Sequence, residues 1–67
     1  MATTEQVGVT AGEVWHVLKD SGPLTVAQLK KKLSGSDDLV NFSLGWLARE
    51  GKIDISPEKK TFKVALK

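Results

Sequence analysis

Apolar residues recur at three- and four-residue intervals as far as Gly51 and at every second position beyond it, and this change of period separates helices from strands. Ala11, Val14, Val17 and Leu18 make the first helical stripe, with Trp15 on its flank. Thr10 and Glu13 have the spacing of a capping box, and Val9 with Val14 that of a hydrophobic staple, so the first helix is predicted to begin at Thr10. Ser21-Gly22-Pro23 ends it: glycine suits a left-handed cap, and proline cannot continue the helix. Residues 1–6 are expected to fray.

The same device recurs at Leu24-Thr25-Val26-Ala27-Gln28-Leu29, where Thr25 and Gln28 form the box and Leu24 and Leu29 the staple. The second helix then runs to about Leu33 with Val26, Leu29 and Leu33 on one side, and Ser34-Gly35 is the turn after it. Ser36 is placed to cap a third helix whose first turn carries Asp37 and Asp38, where negative charge favours the helix dipole, and Gly51 closes it. Ile53 and Ile55, then Phe62, Val64 and Leu66, alternate with polar residues as two strands, joined by a polar turn at Pro57-Glu58-Lys59-Lys60. The order helix, helix, turn, helix, hairpin predicts an α+β, mainly α, winged helix-turn-helix: three helices and a C-terminal β-hairpin wing, in one domain over residues 1–67.

The chain resembles a small prokaryotic winged helix-turn-helix family catalogued as a domain of unknown function. The likeness is carried by Val7-Gly8, by Ala11-Gly12 with Trp15 and Leu18, and above all by the run from Leu44 to Ile53, Leu-Gly-Trp-Leu-Ala-Arg-Glu-Gly-Lys-Ile. It implies the fold and a capacity for dimerisation. It supplies no catalytic or ligand residues, so function has to come from the side chains themselves.

Composition narrows the options. A chain of 67 residues has a thin core, because a domain near this size buries only about 60% of its unfolded surface. With no cysteine and a single histidine, His16, a structural zinc site lacks its ligands. No cofactor is expected, since no glycine loop has a phosphate-cradling pattern, and no small-molecule substrate is indicated. Neither a signal peptide nor a membrane span is evident, which predicts a cytoplasmic protein. His16 falls opposite most of the first apolar stripe, with no nucleophile or carboxylate at a catalytic spacing, so it reads as a surface histidine in a chain that is not an enzyme.

The third helix concentrates the functional question, because in winged helices it normally meets the DNA major groove. Val40, Leu44 and Leu47 share its core face, whereas Leu39, Phe42 and Trp46 form a second apolar face roughly 130° away. A helix between two others and a hairpin cannot easily bury its whole circumference. The second face therefore either packs on the same chain or, the reading preferred here, meets a protein partner, most simply another copy, with Arg49 able to pair with a carboxylate of that partner.

The alternative is a DNA-binding regulator. Lys30, Lys31 and Lys32 on the second helix and Lys59, Lys60 and Lys63 on the wing would touch phosphates, giving weak, salt-sensitive binding, with Asn41, Ser43 and Arg49 as candidate base readers. Against it stand the net charge of only +2 and the position of Asp37 and Asp38 at the end of the helix nearest the phosphates. A carboxylate about 4 Å from a phosphate costs about 1 kcal/mol in water. Short lysine runs are also common on solvated faces.

Overall fold

The apolar stripe of the first helix extends back beyond Ala11 to Val7, and burial of Val7 carries the helix with it. In the computed structural model, which describes residues 3–33 and 35–67, α1 spans Thr3–Ser21, β1 Leu24–Thr25, α2 Val26–Lys32, α3 Asp37–Arg49, β2 Ile53–Glu58 and β3 Thr61–Leu66. The predicted start at Thr10 is thus corrected to Thr3. Thr10 is a buried residue within the helix rather than its cap. A capping-box spacing shows only that local N–H groups have an acceptor within reach. Here the contact of α1 with α3 decides the length, for Val7 is buried and its carbonyl receives the Ser43 hydroxyl at 3.1 Å. Of the six residues expected to fray, positions 3–6 belong to α1, while Met1 and Ala2 lie outside the described residues, as does Ser34 of the predicted turn.

The other two helix starts are capped by the residues the sequence indicated. Thr25 Oγ1 accepts from the Gln28 N–H at 3.1 Å, and Gln28 Oε1 accepts from the Thr25 N–H at 2.9 Å, a reciprocal box. Ser36 Oγ accepts from the Leu39 N–H at 3.2 Å. The C-terminal end of α3 turns through Gly51, whose φ of 73° lies in the left-handed region that glycine adopts without steric cost. This turn launches the hairpin.

β3 pairs with β2 from Ile53↔Leu66 to Glu58↔Thr61 and with β1 through Leu24↔Val64 and Thr25↔Lys63, so the sheet is antiparallel in the order β1-β3-β2. The expected wing gains a third strand, too short to leave a pattern of its own. The predicted turn at Pro57–Lys60 shrinks to Lys59 and Lys60, because Pro57 and Glu58 stay in β2. Pro57 is tolerated there because β2 is an edge strand, where a residue without an N–H can face out of the ladder. No glycine or asparagine marks the tight turn; Lys59 itself takes the left-handed conformation, at φ 48°.

The core is one cluster. Ala11, Val14 and Leu18 of α1 meet Leu29 and Leu33, then Val40, Leu44 and Leu47 of α3, closed by Ile53 and Val64 of the sheet. Ser43 sits among them fully buried, and its single hydroxyl proton is shared between the carbonyls of Leu39, at 2.7 Å, and Val7. That contact seats α1 across α3.

Candidate interaction face

With Val40, Leu44 and Leu47 committed to the core, helical geometry turns Phe42, Trp46 and Arg49 outward, since they follow one another at intervals of four and three residues. Phe42 is 54% exposed and Trp46 50%, and Arg49 is exposed in the last turn. The chain itself therefore does not bury this aromatic pair. Leu39 behaves differently from the expectation. It is half-buried, and it opens into a groove with Val9, Thr10, Glu13 and Gly35, whereas Trp46 opens into another with Gly8, Ala11, Gly12 and Trp15. Those two sets lie on opposite flanks of α1 by helical spacing. The second apolar face drawn from the sequence is thus divided by the crossing of α1: Leu39 falls to one side of it, and the exposed part is Phe42 and Trp46.

The Trp46 groove encloses about 280 Å³ and is completed by His16, Leu47 and Lys52. Trp15 on its far wall is held in place: the Lys19 ammonium lies 5.0 Å from its ring centroid, and the His16 ring meets it edge-on at 5.3 Å. Sequence reading named Phe42, Trp46 and Arg49 but missed Gly8, Gly12, Trp15 and Lys52. The signal available for them was a pair of glycines one turn apart inside a helix followed by a tryptophan, which periodicity alone treats as weak helix.

The candidate nucleic-acid contacts are distributed over separate elements. Lys30 is half-buried and Lys31 and Lys32 exposed in the last turn of α2; Lys59 and Lys60 form the hairpin turn; Asn41 and Arg49 are exposed on α3, but Ser43 is fully buried with its hydroxyl on the Val7 and Leu39 carbonyls, so it cannot read a base. Lys63 alternates with buried Val64, so it points from the outer face of the sheet, which by the same alternation also carries Asp54 and Glu58. Asp54 lies 4.0 Å from the Lys67 ammonium. Mixed signs dilute the positive field of the wing.

Among the described residues, no group of three or more His, Cys, Asp or Glu side chains is placed to hold a metal ion, and no helix is long and apolar enough to cross a membrane.

Comparisons with known proteins agree with this architecture. A family model described as a winged helix-turn-helix domain (DUF2582) matches residues 1–66. Uncharacterized protein MJ1608 of Methanocaldococcus jannaschii is 34% identical over 65 residues, which cover 92% of this chain and 91% of that protein. The solution NMR structure of protein BT2368 from Bacteroides thetaiotaomicron is similar with a TM-score of 0.82 and 29% identity, over 97% of this chain and 79% of that one.

Proposed function

Because the chain belongs to the winged helix-turn-helix family matched over residues 1–66, we propose that it is a non-enzymatic interaction module that self-associates through the outer face of α3. The observation that carries this reading is the half-exposure of both Phe42 and Trp46 on one helix face. Aromatic side chains bury about 150–250 Å² each, so the pair leaves roughly 200 Å² of neighbouring apolar surface in water. Burying it on two copies, roughly 400 Å² in all, is worth about 10 kcal/mol gross at 25 cal/mol per Å². Association costs about 4–15 kcal/mol, so the aromatic pair alone supplies at most about 6 kcal/mol net, a dissociation constant of roughly tens of micromolar at best.

Sedimentation of the wild type over a concentration series tests this. The mass should rise from the 7.3 kDa of one chain toward twice that value by ~100 µM. A species that stays at one chain mass throughout would remove the self-association reading.

A second reading, DNA binding, is supported by the exposure of Lys31, Lys32, Lys59, Lys60 and Lys63 on a fold that often meets DNA. It predicts that amide shifts in a duplex titration at low salt are confined to these residues and vanish at moderate salt. No shifts at low salt would dismiss it.

A further inference from the structure

Gly8 and Gly12 floor the groove beside Trp46, and the chain itself gives no reason for glycine at either position. Both lie inside α1 without the positive φ that Gly22 and Gly51 require. A Cβ built on either meets no atom within 4 Å. Alanine fits both sites and favours the helix, since glycine loses more conformational freedom on entering it. Two such glycines one turn apart gain a use when another surface comes closer than a Cβ allows.

Resting on the reading of α3 as a self-association face, we propose that the second copy seats its Phe42 and Trp46 over Gly8 and Gly12 of the first, and reciprocally, about a two-fold axis beside the two Trp46 side chains. Three observations favour a second copy as the occupant. Trp46 is both a wall of the groove and a projecting side chain, so projection and recess lie side by side on one face. A two-fold pair needs this, because residue i must meet residue j while j meets i. The exposed rim also carries both signs, Arg49 and Lys52 against Asp38 and Glu50, so two identical faces meet without the repulsion of a single-sign rim.

Area gives the third argument. A stable interface needs about 500–800 Å² on each side, and the aromatic pair supplies roughly 200 Å². The outer face of α3 falls short alone. The flank of α1 from Gly8 to Trp15 and the Lys52 stem border the same groove and enlarge the contact, and stacking of the paired indoles supplies a centre.

The test is the double variant Gly8→Ala, Gly12→Ala, measured in two ways. At a dilution where the wild type is monomeric, its melting temperature should rise by about 6–16 °C, as expected when two helical glycines become alanine. By sedimentation, its dimer dissociation constant should rise at least tenfold. An unchanged or tighter dimer overturns the proposal. If Phe42→Ala, Trp46→Ala still dissolves that dimer, the α3 reading survives without it; if the wild type never dimerises, both fall. A lower melting temperature at dilution would show that the fold needs these glycines, and would overturn the proposal equally.

Discussion

Leu29→Ala should leave the chain largely unfolded at 25 °C, with its cooperative melt lost and its amide spectrum collapsed. Leu29 has no exposed surface and is the only fully buried side chain described on α2, a helix of seven residues too short to persist without tertiary contacts. Truncating a buried leucine costs about 2–5 kcal/mol, from lost transfer energy and from the cavity left behind. A single core of this size rarely supplies more than about 3–5 kcal/mol of net stability. The substitution removes most or all of that margin. Lys31→Ala, on the exposed side of the same helix, should change stability by no more than about 0.5 kcal/mol. A cooperative melt for Leu29→Ala within a few degrees of wild type would show that the core is not organised as described.

The second large effect concerns association rather than folding. Phe42→Ala, Trp46→Ala removes the exposed aromatic pair but none of the residues in the buried cluster. The monomer should therefore keep its fold. Central aromatic contacts in interfaces cost about 2 kcal/mol or more each when truncated, a factor of roughly 30 in the dissociation constant. Together the two should weaken a dimer of roughly tens of micromolar strength beyond detection at ~100 µM. Light scattering of the double variant should then give the mass of one chain beside a dimeric wild type, with superimposable circular dichroism spectra. A variant that dimerises as well as wild type would place the interface elsewhere.

What the sequence made legible follows the range of the interactions concerned. The caps at Thr25 and Ser36, the core face of Val40, Leu44 and Leu47, and the exposure of Phe42 and Trp46 all follow from residues within one or two helical turns of one another. Features set by distant segments were not readable. The first seven residues of α1 depend on a contact between Val7 and Ser43, thirty-six positions apart, and nothing local to Thr3–Val9 announces it. β1 has two residues and exists because β3 offers it a partner. The wing turn was placed two residues too long, and its left-handed residue is Lys59, where composition suggests asparagine or glycine.

The candidate face shows the same division. Helical spacing placed Leu39 beside Phe42 and Trp46, yet α1 crosses at Ser43 and leaves Leu39 and Trp46 in different grooves. The glycines of α1 gain their meaning only once the structure sets them opposite Trp46. A protein with a thin core thus combines a fully committed inner face of α3 with an outer face on which Phe42 and Trp46 stay half exposed.

The most direct test follows the indole N–H signals of Trp15 and Trp46 in a dilution series with a soluble paramagnetic agent. Trp15 is half-buried and Trp46 half-exposed, so the two signals report on the two walls of one groove. The self-association account predicts that Trp46 shifts with concentration and becomes protected from the agent as the chains pair. A Trp46 signal that keeps one position and stays fully accessible at every concentration would contradict it.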